Sequence, residues 1–176
     1  EILASVLKVT ERGVFILQDE LKKFEQQIVA FAGAKHAVGM DNGTDTLFLA
    51  LKAAGIGQRD EVILAAHTYI ATAAAVHFAG GTPILVECGP DHMIDPAAVE
   101  AAVTPRTKVI LLNSPANPSG AVFPPETFRA VLEICRRRGL WLVSDECYAQ
   151  LSYDAPPYSV AGEPGAAERV IIAGSL

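Results

Sequence analysis

Five short runs of this chain carry residue types suited to chemistry. Asp41, Asn42, Gly43, Thr44 and Asp45 open a predicted helix. A glycine there lets the backbone approach a ligand closely, and the free N–H groups of a first helical turn suit a phosphate. Asn42 or Thr44 serves equally well as a plain helix cap. His67, Thr68 and Tyr69 follow an apolar run. A flat ring in that place can stack on a heteroaromatic ligand; the alternative is a Tyr69 packed in the core with its hydroxyl at the rim, and His67 reads as a hydrogen-bonded structural histidine. Residues 113–120 read Asn-Ser-Pro-Ala-Asn-Pro-Ser-Gly. Their Ser-Pro and Asn-Pro steps favour extended geometry before each proline, giving a rigid loop that aims the Asn117 amide. Asp145 directly follows the apolar run 140–144. An acidic side chain there is costly unless a partner meets it, so Asp145 asks for a ligand cation, and Tyr148 sets a phenol beside it. Gly174, Ser175 and Leu176 close the sequence after one more apolar run.

These groups need elements to position them. Leu21, Phe24, Ile28 and Phe31 fall at helical spacing, with Gly33 as the stop. Apolar runs at 36–40, 61–65, 83–87, 108–113, 140–144 and 169–173 predict six short strands. Helices are predicted over 44–54, through Phe78, from the Asp95-Pro96 start, and over 126–138 up to Gly139. Strands alternating with helices imply crossover units, right-handed, and a mostly parallel sheet covered on both faces: a three-layer αβα fold of the α/β class. In such sheets ligands bind beyond the C-terminal ends of the strands, where the five runs fall. The stretch 149–167, with Pro156, Pro157 and Pro164, is too long for an ordinary connection and reads as functional or loosely ordered.

Composition narrows the classes. The 176 residues suit one domain, taken here as a single unit over 1–176. Hydrophobic residues at 51% against 19% charged exclude a disordered chain. With 14 Lys+Arg against 20 Asp+Glu the net charge is −6, which argues against a nucleic-acid partner. The basic run Arg136, Arg137 and Arg138 reads as a solvated helix end. No apolar stretch is long enough for a membrane span, and no signal peptide is visible after Glu1. Three widely spaced cysteines make neither a disulfide framework nor a metal site, so a cytoplasmic location is expected. No G-x-G-x-x-G, Walker A or G-x-S-x-G sequence occurs at the strand ends, which leaves dinucleotide, P-loop and α/β-hydrolase chemistry unsupported.

The motifs resemble the fold-type I pyridoxal-phosphate aminotransferases. From about residue 6 to 108 the chain is similar to DegT/DnrJ-type sugar aminotransferases, in Gly13-Val14-Phe15-Ile16-Leu17, Asn42-Gly43-Thr44-Asp45, Gly55-Ile56-Gly57, Asp60-Glu61-Val62-Ile63 and His67-Thr68-Tyr69-Ile70-Ala71-Thr72. From 109 onward it resembles the class I/II, aspartate-aminotransferase-like branch. Residues 113–120 resemble its N-P-x-N-P-T-G loop, with Ser114 and Ser119 in place of Pro and Thr. Ser144-Asp145-Glu146-Cys147-Tyr148 resembles its S-D-E-x-Y, and Gly174-Ser175-Leu176 the start of its G-S-x-S-K. The mixture suggests a recombined or engineered chain joined near 108–110. The resemblance implies pyridoxal 5′-phosphate as cofactor: Gly43 and Thr44 with Ser175 on its phosphate, Tyr69 stacked on its ring, Asp145 on the ring nitrogen, and Asn117 and Tyr148 on the phenolic oxygen. It implies amino-group transfer to a keto sugar or keto acid, and a homo-oligomer.

The family's Schiff-base lysine falls two positions past Leu176. The lysines present are Lys8, Lys22, Lys23, Lys35, Lys52 and Lys108, and none follows a strand. The family's small C-terminal domain is likewise not in these residues. The expectation is therefore weak, noncovalent cofactor binding and impaired catalysis, with no catalytic residue assigned. The rivals are a non-catalytic recombined or designed scaffold, and an incomplete gene product of an ordinary enzyme.

Overall fold

A computed structural model describes residues 2–154 and 156–175; Glu1, Ala155 and Leu176, the last residue of the 174–176 motif, lie outside the described residues. The chain packs as two compact units, Glu1–Asp41 and Asn42–Leu176.

The first unit holds helices α1 (Ile2–Arg12) and α2 (Asp19–Ala32). Gly33 ends α2 in the left-handed region at φ 63°, and its N–H donates to the Val29 carbonyl, as the stop signal predicts. Neither helix buries a residue. The run 36–40 is not a strand, and this corrects the six-strand expectation. A strand needs a neighbour for its backbone groups, and this unit contains no other strand among the described residues. Instead the Gly39 N–H donates to the Glu25 carboxylate at 2.9 Å. Gly39 also lies so close to Leu21 that a Cβ would sit 2.5 Å from its methyl carbon.

The second unit is a five-stranded sheet: β1 (Glu61–Ala65), β2 (Thr82–Val86), β3 (Thr107–Asn113), β4 (Trp141–Asp145) and β5 (Val170–Ala173). The order is β2-β1-β3-β4-β5 and every pairing is parallel. Helices α3 (Gly43–Ala53) and α4 (Ile70–Phe78) cover one face; α5 (Pro96–Ala101) and α6 (Pro125–Arg138) cover the other. Their caps follow the sequence: the Asp95 carboxylate accepts from the Ala97 N–H at 2.9 Å, and Gly139 closes α6 at φ 71°.

Alternation along each strand assigns its side chains to one layer or the other. Val62, Leu64, Val109, Leu111 and Val143 pack with Leu47, Leu51 and Val76 under α3 and α4. Ile63, Ile110, Leu112 and Leu142 pack with Phe128, Val131 and Leu132 of α6. These side chains are almost completely shielded from water, which is why β1, β3 and β4 read as apolar runs, whereas Leu85 on β2 and Ile172 on β5 are exposed at the sheet's edges.

The edge of the sheet where the strands begin is held by charge. The Glu61 side chain is 4% exposed, accepts from the Arg106 Nε at 2.8 Å, and also bonds the Thr104 hydroxyl. The Thr104 hydrogen bond, helped by Arg106 and outweighing burial, holds the Glu61 carboxyl below its usual range. A carboxyl with a lowered native pKa stabilises fully above its unfolded value near 4.5, and the contribution fades as pH falls through the native value. Glu61→Gln is expected to cost about 1–3 kcal/mol at neutral pH, the scale of a lost hydrogen bond to a charged group. It should also flatten the acid limb of stability. Urea unfolding between pH 3 and 7 measures both, and an unchanged acid limb would contradict this assignment.

Candidate cofactor site

The opposite edge, where the strands end, collects the polar groups. Helix α3 reaches it from below. Its last turn sits at the starting edge, where the Lys108 ammonium at the beginning of β3 donates to the Gly55 carbonyl (3.4 Å) and to Asp60 (3.0 Å). Eleven helical residues span about 16 Å, close to the length of a five-residue strand, so Gly43 and Thr44 arrive at the finishing edge. The Asn42 side chain caps the helix by accepting the Asp45 N–H at 2.9 Å. That cap leaves the N–H groups of Gly43 and Thr44 without a partner among the described residues. A Cβ on Gly43 would meet nothing within 4 Å, so the space beside that glycine is open among the described residues. Both readings of the run hold together: Asn42 is a cap, and the turn it caps offers donors.

Tyr69 begins α4 at the same edge and is 55% exposed, so it is not a core residue. His67 faces His92, ring centroids 5.4 Å apart, beside the crevice between β1 and β3 that Thr68, Thr72 and Asn113 line. The strand order reverses there, the usual location of a ligand crevice in such sheets.

On β3 and β4, Asn113 and Asp145 are register partners at the strand ends. Alternation puts both on the α3/α4 face, since Leu111 and Val143, two residues earlier, belong to that layer. The Asn113 carboxamide accepts the Asn117 N–H at 2.8 Å and donates to the Asp145 carbonyl at 3.3 Å. It thereby fixes the proline loop against β4. The Asn117 amide nitrogen lies 3.5 Å from the Tyr148 hydroxyl. The Ser175 hydroxyl donates to the Cys147 carbonyl at 3.3 Å, which brings β5's end to the same corner. Asn117, Asp145, Tyr148 and Ser175 are therefore neighbours, and Gly43, Thr44 and Tyr69 stand at the same edge on the same face.

Burial raises the Asp145 carboxyl above its usual range, against the pull of Cys147. Among the described residues no cation pairs with it; it accepts from the Cys147 N–H at 3.3 Å and from the Cys147 thiol. Burial and the Asp145 charge push the Cys147 thiol up to about 12, so this cysteine is a protonated bystander at neutral pH. Asn113 and Glu146 matter here without having been singled out from the sequence. Period-two alternation around Asp145 is a signal from which Glu146 could be placed on the opposite face.

Three-layer packing with this edge is the architecture of the large domain of fold-type I pyridoxal-phosphate aminotransferases. Residues 1–155 match the DegT/DnrJ/EryC1/StrS aminotransferase family, and the chain belongs to that family. It is 42% identical over 147 residues to dTDP-3-amino-3,4,6-trideoxy-alpha-D-glucose transaminase of Streptomyces venezuelae, covering 83% of this chain and 37% of that protein. It is 39% identical to GDP-perosamine synthase of Caulobacter vibrioides, covering 80% and 35%. The solved structure of DesV from S. venezuelae superposes with a TM-score of 0.73 at 39% identity, over 82% of this chain and 38% of that one. An aspartate aminotransferase variant from Thermus thermophilus gives 0.68 at 36% identity, over 76% and 36%. The chain thus spans well under half the length of these relatives. Membership implies pyridoxal 5′-phosphate as the cofactor. The residues present fit it: free N–H donors for an anion, an exposed ring, an amide with a phenol, and a half-buried carboxylate lacking a cation. Among the described residues, no helix is long and apolar enough to cross a membrane.

Proposed function

We propose that residues 42–175 hold pyridoxal phosphate for amino-group transfer to a keto sugar carried on a nucleotide, a reading supported by relatives from Streptomyces and Caulobacter that are named for nucleotide-linked sugars. The observation that carries this is the corner where Asn113 joins the Asn117 loop to the end of β4, beside Asp145 and Tyr148. Gly43 and Thr44 hold the phosphate with their N–H groups and Ser175 adds its hydroxyl. Tyr69 stacks on the ring. Asp145 keeps a proton on the ring nitrogen, which supplies the ligand cation its buried charge calls for. Asn117 and Tyr148 donate to the phenolic oxygen. When bound, the cofactor supplies the electron-withdrawing ring on which amino transfer depends.

Among the described residues of the second unit, no lysine stands at that edge. Lys52 donates to the Ile56 and Ala79 carbonyls, and Lys108 to Asp60, all at the starting edge of the sheet. By themselves, then, residues 1–176 bind the cofactor noncovalently and turn over poorly. A spectral titration with pyridoxal phosphate should show saturable binding, and borohydride should leave no adduct at one specific lysine. Such an adduct would overturn noncovalent binding; no saturable binding at all would favour a scaffold without cofactor.

A keto-acid acceptor is the second reading. It is favoured by the likeness of residues 113–120 and 144–148 to the aspartate-aminotransferase branch and by the Thermus structure. The same likeness supports a junction near 108–110, although the family match continues past it to residue 155. We further read the protein as a cytoplasmic homo-oligomer; its three cysteines are all unpaired, as in a reducing compartment.

A further inference from the structure

Behind the proposed cofactor edge lies a second carboxylate that the site does not use. Glu146 is 8% exposed. It follows Asp145, so alternation turns it to the α6 face, on the side of Ser144 rather than Asp145. Its Oε1 accepts from the Ser144 hydroxyl at 2.9 Å and from the Val160 N–H at 3.4 Å. Val160 is fully buried. The Glu146 N–H donates to the Ala173 carbonyl at 2.8 Å, and its carbonyl accepts the Ala149 N–H at 2.9 Å. One residue thus ties the end of β4 to the end of β5, to the turn that carries Tyr148, and to the returning loop at 160.

A buried carboxylate is costly, and an apolar side chain could fill the same layer more cheaply. What an acceptor provides here, and an apolar group would not, is a fixed backbone on either side of Asp145. The loop it holds is also pinned further out. The Tyr158 hydroxyl donates to Glu163 at 2.7 Å, and the Arg129 guanidinium does so at 2.8 Å. Glu146 is the inner of these two anchors and the one adjoining the site.

We propose that Glu146 is a positioning residue: accepting from Ser144 and Val160, it holds the β4–β5 corner so that Asp145 and Tyr148 meet the cofactor in one fixed arrangement. This rests on the cofactor reading above. Gln keeps an acceptor oxygen for both donors, whereas Ala removes it. The test is pyridoxal phosphate titration of the chain and its Glu146→Gln and Glu146→Ala variants. Affinity, circular dichroism of the cofactor band at saturation, and thermal unfolding are all measured. Glu146→Gln should bind within about twofold and keep the cofactor dichroism. Glu146→Ala should bind at least about tenfold more weakly and lose most of the dichroism even when saturated. A purely structural role would move the melting temperature and leave the saturated dichroism intact. If Glu146→Ala does not fold, Ser144→Ala decides: about threefold weaker binding with reduced dichroism supports the role, and unchanged values overturn it. Equal impairment of the Gln and Ala variants would also overturn it, since charge and not the acceptor would then be at work. If the unsubstituted chain fails to bind, the cofactor reading falls and this one with it; if it binds but ignores both Glu146 variants, only this inference falls.

Discussion

Asp145→Asn is expected to stabilise the cofactor-free chain and to weaken pyridoxal phosphate binding by about tenfold to a hundredfold. Burial raises the native Asp145 pKa above its unfolded value near 3.8. Between those two values the native state binds more protons than the unfolded state, so stability falls as pH rises through the window and stays lowered above it. At neutral pH the charged Asp145 is therefore a burden on the empty protein. Asparagine keeps the acceptor for the Cys147 N–H, 3.3 Å away, and carries no charge. The gain should be about 1 kcal/mol, a usual size for relieving one unfavourable group, or about 2–4 °C for a chain of this size. Binding should suffer because a neutral amide cannot keep a proton on the ring nitrogen; losing a hydrogen bond to a charged group costs about 1.5–3 kcal/mol. Calorimetry of the empty chain and a cofactor titration read the two effects separately. A less stable Asn variant with unchanged affinity would remove Asp145 from the site.

The largest expected loss of stability comes from Phe128→Ala. Phe128 is 2% exposed at the centre of the α6 layer, its ring centroid 6.1 Å from that of Phe123 and 5.3 Å from that of Tyr158. Removing a buried phenyl ring costs about 3–5 kcal/mol through lost transfer energy and the cavity left behind. That is a large share of the 5–15 kcal/mol typical of a whole domain. The ring also supports the loop at 158–163, so cleavage of that loop by protease should accelerate before the sheet unfolds. Chemical denaturation and limited proteolysis check this; a cost under 1 kcal/mol would mean the layer repacks.

Much of this was legible in the sequence, for particular reasons. The inner strands β1, β3 and β4 are buried on both faces, so each appears as an apolar run that no amphipathic pattern obscures. Gly33, Gly139 and Asp95-Pro96 mark helix ends by local backbone preferences that tertiary packing did not override. The run 36–40 misled because apolar content shows that a segment could pair, while pairing needs a neighbour that only the fold supplies. In the site, Asp145 stood out because a charge beside a buried strand is anomalous. Asn113 and Glu146 did not, because their work is to hold other residues, and that depends on which loop returns to meet them. Within the stretch 149–167, read from length as functional or loosely ordered, Val160 and Glu163 are held by Glu146 and Arg129, 14 and 34 residues away in sequence.

The two ends of the sheet hold different kinds of group. Glu61, Arg106, Lys108 and Asp60 form ion pairs where the strands begin, while Asp145 lies unpaired where β4 ends. A strand's length, about 16 Å, separates them, beyond the range over which substitutions usually couple. The ion pairs where the strands begin can therefore change heat resistance without touching ligand affinity. An engineer can rebuild the lower pole for robustness and leave the upper one free to change its chemistry.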